Sequence, residues 1–532
     1  MAKQNFPKDR RNGRKPERHQ GKPANKDEKI PKTGDRKNNY QNKLSPLNDI
    51  SWWTRYPELM APISRVAFPN KVGMDVRFGT MTRPDTGAGY TECKYSIPGI
   101  CKILFAYAFG NGTTNTSPMS IAGAELYSVM RKEYSGSIPE NGPDIIMYVC
   151  ALDKISAFIA DLKRQYGLAN AFTGENYSFP YLLYEAVSPM PLAHVQANLN
   201  KFEYYINLLV DYMRVFNVPA DMDIFERHRW MNENVYMDEP TLNSQAYVFV
   251  PDGYYYLEDA GPTGTALHWQ AAEYTTVDEA FEYGKFMIEK LKGWEDALNI
   301  NGRIERAFAG SQMLTIEELQ HGYTVVPTYV PEVLMQIENL TVQHLYGGQG
   351  GHASVTQDPL TNSVKFSPSV IAPATGYKQP TPCLNIHSTD VTPADVILAT
   401  RLLTFTQAES QSDPQHEIVC GTEIVRDLVL TATSGPLAEA PFHVPNALSL
   451  YYNVGTSEDN PGYSSWKSAA DTVVGMAYMQ AWNHFPRLWI WFGSFRSAAA
   501  PAPKPILVAD LANLAKIDED LLAAMHRNCL YS

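Results

Sequence analysis

Beyond about residue 100, apolar residues recur at three- and four-residue steps, a spacing that predicts helices. Ser117 followed by Pro118 sets a helix start, with Ile121, Leu126, Val129 and Met130 behind it. Asp144 predicts the cap of a second helix, whose apolar set is Ile145, Val149, Leu152, Phe158, Ile159, Leu162 and Tyr166 and whose end is marked by Gly167. The most regular stripe is Val195, Leu199, Phe202, Ile206, Leu209, Met213 and Phe216, stopped by Pro219. Such a repeat suits a coiled-coil seam or, more commonly, one core helix of a bundle. Capping boxes predict helices after Thr276 with Glu279 and after Thr315 with Glu318. Thr392 with Pro393 predicts another, carrying Val396, Ile397, Leu403 and Phe405, and residues 465–482 and 518–529 also read as helical.

The texture changes between residues 324 and 463, where Pro, Gly and Thr separate short β-branched runs at 364–366, 418–419 and 424–432. Runs of that kind predict strands and loops. The expected fold class is therefore α+β, mainly α with additional β. A helical domain takes in residues 45–323 and 464–532, and a β- and loop-rich projecting domain takes in 324–463. No internal repeat at a fixed period is visible.

Residues 1–44 follow neither pattern. After Met1 their only large apolar side chains are Phe6, Ile30, Tyr40 and Leu44, too few to offset the entropy of ordering, so this segment is expected to be a disordered arm. Folded sequence begins where Pro46, Leu47, Ile50, Trp52 and Trp53 cluster. At 532 residues and 44% hydrophobic, the remainder can fill a sizeable core.

Charge divides at the same place. The chain as a whole has a net charge of -12, which taken alone argues against a nucleic-acid partner, yet residues 1–44 carry 14 Lys or Arg against 5 Asp or Glu. The arm is thus +9 and the body -21. Lys3, Lys8, Arg10, Arg11, Arg14, Lys15, Arg18, Lys22, Lys26, Lys29, Lys32, Arg36, Lys37 and Lys43 are spread along the arm without a helical stripe. Charge spread in this way binds phosphates by counterion release and without sequence readout. Interleaved aromatic residues for base stacking are nearly absent. Fully extended, such a segment reaches on the order of 145 Å. A nuclear localisation signal around Arg10 to Arg18, or a solubilising tail, would give a similar composition.

Six cysteines, Cys93, Cys101, Cys150, Cys383, Cys420 and Cys529, are widely spread with no C-x-x-C pair, so they read as free thiols in a reducing compartment rather than as disulfides. The first residues lack a secretory apolar region, and no stretch is long and apolar enough for a membrane span. The N-x-S/T matches at Asn111, Asn115, Asn176 and Asn339 are then chance matches.

The glycine run Gly347, Gly348, Gly350 and Gly351 before His352 lacks the Lys-Ser/Thr of a phosphate loop and precedes no helix start, so it reads as a flexible loop. Glu226, Arg227, His228, Arg229 and Trp230 form the densest local group around a histidine. With no neighbouring nucleophile or metal ligand in sequence, His228 reads as an exposed or satisfied polar residue. Asp221, Asp223 and Glu226 serve equally well as the start of a short helix. No catalytic residue, cofactor site or metal site is expected. The body is only about 17% charged against a norm of about 25%, and Tyr outnumbers Phe by 31 to 21. That composition fits extensive contact between subunits, or simply a polar uncharged surface.

An ordered series of short motifs resembles the picobirnavirus capsid proteins. It runs through Pro98-Gly99-Ile100, Ser117-Pro118-Met119-Ser120-Ile121-Ala122, Tyr127, Val129-Met130-Arg131, Ser135-Gly136, and Asp144-Ile145-Ile146-Met147-Tyr148 with Ala151. Trp52-Trp53-Thr54-Arg55-Tyr56-Pro57-Glu58-Leu59 and the closing stretch from Leu521 to His526 are similar in style. The resemblance implies two-fold homodimers that assemble into an icosahedral shell around double-stranded RNA segments. It further implies a helical shell domain with a projecting domain and a basic N-terminal segment facing the interior. RNA bound through the arm and a viral polymerase are the partners that follow, with assembly in the host cytoplasm and residence in the virion. No cofactor and no membrane partner follow. The competing readings are an RNA-processing or nucleotide-dependent enzyme with a basic docking tail, and the coat protein of a related double-stranded RNA virus such as a partitivirus.

Overall fold

Asn141, Pro143 and Asp144 start the helix around which the rest is arranged. In this computed structural model the Asn141 side chain accepts from the Asp144 backbone N–H at 3.0 Å and the Asp144 carboxylate accepts from the Asn141 N–H at 3.2 Å. Asp144 is thus the third residue of a capping box rather than the cap itself. The helix runs Gly142–Ala169 and is closed by Asn170, so Gly167 does not end it. Gly167 instead allows close packing, since a Cβ there would fall 2.7 Å from Val325 and 2.9 Å from Tyr323. Every residue of the helix except Asp144 and Lys163 is buried. It is a helix covered all round, not an amphipathic one.

The described residues comprise most of 99–530, together with 55, 57–65, 72 and the paired strands Asp75–Thr80 and Thr91–Ser96. Outside them lie, among others, 1–54, 172–177, 346–350, 372–381, 408–414, 432–441, 453–478 and 493–503. The chain divides into two units, 1–68 and 69–532. In the first, the described element is the helix Pro57–Ile63.

Beside the buried helix stands a five-stranded sheet in the order Phe442–Val444, Glu423–Thr431, Ile100–Tyr107, Ala246–Pro251, Tyr236–Met237. Ile100–Tyr107, the apolar window noted in the sequence, pairs antiparallel with Glu423–Thr431 and parallel with Ala246–Pro251. The β-branched run at 424–432 does form a strand, but one built into the core, with Ile424, Val425, Leu428 and Leu430 buried. Bridges from Gly112 to Phe366, Leu267 to Val355 and Val342 to Val425 bind more of 324–463 to the same core. Composition could mark these runs as strands; pairing register, which decides what they lie against, is not written locally. A smaller core of Leu384, Ile386, Ala399, Leu403, Phe405, Ile517 and Leu522 sits where Cys383–Ile386 pairs with Asn513–Lys516.

The remaining helices divide between agreement and correction. Pro118–Glu133, Pro393–Ala399 and Glu519–Leu530 lie where expected, the second with a complete capping box of Thr392 and Asp395. Leu403 and Phe405 fall beyond it, in the smaller core. Thr276 accepts from the Glu279 N–H and caps Val277–Lys292. The long stripe is split at Asn198 into Leu192–Ala197 and Leu199–Met213, and its Val195, Phe202, Ile206, Leu209 and Met213 are buried in the single large core. It is a core helix and not a coiled-coil seam. Thr315 and Glu318 start no helix. Asn207 accepts from the Leu319 N–H at 2.7 Å and donates to its carbonyl at 3.1 Å, so a side chain takes up the backbone groups a helix would have used. Of the expected helix at 465–482, all but 479–482 lies outside the described residues. Cys101, Cys150, Cys383 and Cys420 are buried free thiols. Asn339 is buried and donates to the carbonyls of Met335 and Asn385, which removes it as a glycan acceptor.

Candidate functional site

Charged side chains on the buried helix need partners, because a lone buried charge is far costlier than a paired one. Asp153 and Lys154 find theirs at a junction of three elements. The Asp153 carboxylate accepts from Lys154 Nζ at 2.6 Å and stands 2.6 Å from His228 Nδ1, contributed by the helix Asp223–Glu233. On the other side of the ring, Nε2 lies 3.5 Å from Glu423 Oε1, at the start of the strand Glu423–Thr431. Arg227 closes the array with a two-pronged pair to Glu423, Nε at 2.6 Å and the terminal nitrogen at 3.1 Å, and donates to Gln336 at 3.2 Å. Lys154 also sits over the Tyr107 ring at 4.1 Å, and Asn232 donates to the Tyr107 hydroxyl at 2.8 Å.

Burial is the largest influence on both carboxyls and pushes each pKa up. For Asp153 the nearby His228 and Lys154 outweigh it and hold the group below the usual carboxylate range. For Glu423 the Arg227 guanidinium and His228 do the same, more strongly. Both acids are therefore anionic at neutral pH. Burial, with Asp153 adding to it, pushes the Tyr107 phenol up.

Further along the helix a second array repeats the arrangement. Arg164 pairs with Asp161 at 2.6 Å and donates to the carbonyls of Met231 and Asn234, at the C-terminal end of Asp223–Glu233 where a cation is favoured. Gln165 joins Asp161 to Tyr274 and accepts from Ser188. Charged groups thus fasten helix to helix and helix to sheet inside the core.

His228 is not exposed: its side chain is 0% accessible. Sequence reasoning missed the array because its members are 75 and 196 residues apart. The available signal was Asp153-Lys154 and Asp161 with Arg164, acid–base pairs set in an otherwise apolar helix. Asp223 and Glu226 lie in the first turn of Asp223–Glu233, as a helix start requires, while Asp221 precedes it. Arg227 and Trp230 line an open groove of about 340 Å³ with Val333 and Leu398, and Arg227 stands between that groove and Glu423. Of the glycine run, 347–350 lie outside the described residues; Gly351 (φ +85°) packs against Leu345, and His352 stacks on Trp269 at 3.9 Å. The fourteen basic arm residues also lie outside the described residues. Chemically, an array whose buried imidazole faces carboxylates and an ammonium can fix geometry.

These features define an α+β protein whose core is fastened by buried ion arrays. A model of the picobirnavirus capsid protein family matches residues 52–427. The capsid protein precursor of a human picobirnavirus (strain Human/Thailand/Hy005102/-) is 24% identical over 521 residues, covering 92% of this chain and 91% of that protein. An X-ray crystallographic structure of the picobirnavirus capsid superposes with a TM-score of 0.75 at 19% identity, covering 91% of this chain and 98% of the other. The chain belongs to the picobirnavirus capsid protein family, and its place is in the virion.

Proposed function

We propose that this chain forms two-fold dimers which close into an icosahedral shell around double-stranded RNA segments, with residues 1–44 holding the RNA without sequence readout. The observation that carries the arm's role is the charge split, +9 in residues 1–44 against -21 in the rest. A basic arm neutralises packaged phosphate, and an acidic body avoids trapping RNA on the wrong face. The arm residues from Lys3 to Lys43 act together in this reading, each as a phosphate contact. Assembly takes place in the host cytoplasm, and the viral polymerase is a further partner inside the particle. The helical parts 45–323 and 464–532 make the shell. The β- and loop-rich region 324–463 supplies the projection, anchored to the rest by the strand Glu423–Thr431.

The test is to express the full chain and a version lacking 1–44, purify both by gradient sedimentation and measure nucleic acid per particle. Particles of both, with RNA strongly reduced in the truncated one, support the reading. Equal RNA content would sink the arm's role and leave the shell untouched.

A further inference from the structure

Four stretches far apart in sequence meet at two histidine–carboxylate pairs. His484 Nδ1 lies 3.3 Å from Asp238 Oδ1, and the His484 backbone N–H donates to the same oxygen at 3.1 Å. The Asn483 N–H donates to the other Asp238 oxygen. His387, just beyond the strand Cys383–Ile386, has Nε2 2.5 Å from Glu338 Oε1. The two rings stand edge to face with centroids 6.4 Å apart, and both carboxylates are buried, at 1% and 5% exposure. Arg487 completes the junction by donating to the carbonyls of Asn339 and Cys383. Residues 479–487 are thus held to the core by the buried Met479 and Trp482, by Arg487, and by a histidine–carboxylate pair that can gain or lose a proton.

Carboxyl groups outnumber fixed cations at this junction. Asp238, Glu338 and Glu239, which accepts from Asn483, supply three carboxylates against the single guanidinium of Arg487. The other titratable groups that face these carboxylates, Cys101 and Tyr247, are buried with thiol and phenol pushed up, so they stay neutral and leave the excess unchanged. A proton on His484 or on the Glu338 carboxyl relieves that excess, and charge-assisted pairs are the stronger ones.

We propose that this junction is a proton-operated clasp: with its protons bound it fastens residues 479–487 and the strand Cys383–Ile386 to Asp238 and Glu338, and it loosens as the pH rises past neutral. Hydrogen bonding to Asp238 holds the His484 pKa above the usual imidazole value. Burial raises that of Glu338 against the pull of His387 and His484. Both folded-state values lie above the unfolded ones, about 6.5 for His and about 4.3 for Glu. The clasp's contribution is then complete in acid below those values and is lost as the pH climbs through the raised ones. His387 is 41% exposed, so solvent screens its pair and His484 carries more of the effect.

Hydrogen exchange on the full chain at a series of pH values from mildly acid to mildly alkaline, corrected for intrinsic rates, reads this directly. Relative to the buried helix Gly142–Ala169, protection in 338–343, 383–387 and 479–487 is expected to fall with pH by up to about tenfold per unit for each proton released. A variant carrying His387→Gln and His484→Gln should lose that slope. Flat or rising protection in the wild type, an equal slope in the reference helix, or an unchanged slope in the variant would each overturn the clasp. Should the variant fail to fold, the wild-type slopes at the junction and the reference decide the matter alone.

Discussion

At the scale of single residues, the fold depends on ions placed where apolar side chains would be expected. Glu423 receives both prongs of Arg227 and faces His228, so Glu423→Ala leaves the half-buried guanidinium without its carboxylate and the buried imidazole without one of its two. Breaking a buried pair from one side costs about 3–5 kcal/mol, and urea unfolding of the variant should register a loss of that order. The pH dependence follows from the depressed values of Asp153 and Glu423. Their stabilisation is present above the unfolded carboxylate values, about 3.9 and 4.3, and is lost as the pH falls through the lower folded ones. Acid unfolding followed by tryptophan fluorescence should show a steep limb below about pH 4, shallower in Glu423→Gln. Little of this was legible beforehand. The sequence marks Asp153, Lys154, Asp161 and Arg164 as charges in an apolar helix, but their partners are set by long-range packing.

Elements were more readable than their joints. Local chemistry announced the helices after Ser117, Thr276 and Thr392, because a side-chain cap and a proline act within one turn. It misplaced the end of Gly142–Ala169, because Gly167 serves a neighbour and not the helix terminus. Thr315 with Glu318 was misleading for the converse reason, since Asn207 reaches across to claim the backbone at Leu319. The crossing of Pro118–Glu133 over Gly142–Ala169 is another such joint: a Cβ on Gly123 would stand 2.5 Å from the Gly142 carbonyl oxygen. Gly123→Ala must move backbone and is expected to cost about 1–3 kcal/mol or more. Gly302→Ala, inside Ala297–Ala307 with open space around it, should be neutral or stabilise by up to about 1 kcal/mol. Melting curves of the two variants compare one substitution in two surroundings. If Gly123→Ala melts like the wild type, the close crossing is wrong.

For the whole molecule, the ordered motifs reached the family before any geometry did, and the match over 52–427 bears that out. What composition could not supply was the threading: the strand Glu423–Thr431 lies beside the central strand Ile100–Tyr107 of the five-stranded sheet. At this scale the arm carries its own prediction. Full chain and arm-deleted chain should differ in affinity for RNA of any sequence, and the logarithm of the difference should fall linearly with log salt, by roughly 0.7–0.9 for each phosphate contacted. A preference for one sequence that survives high salt would point to base readout instead.

The central claim is that this chain alone contains what is needed to close a shell. Electron microscopy of the purified full-length protein, with sedimentation across a range of salt and pH, tests it most directly. Closed particles of uniform diameter are the predicted result; soluble monomers under every condition would contradict it.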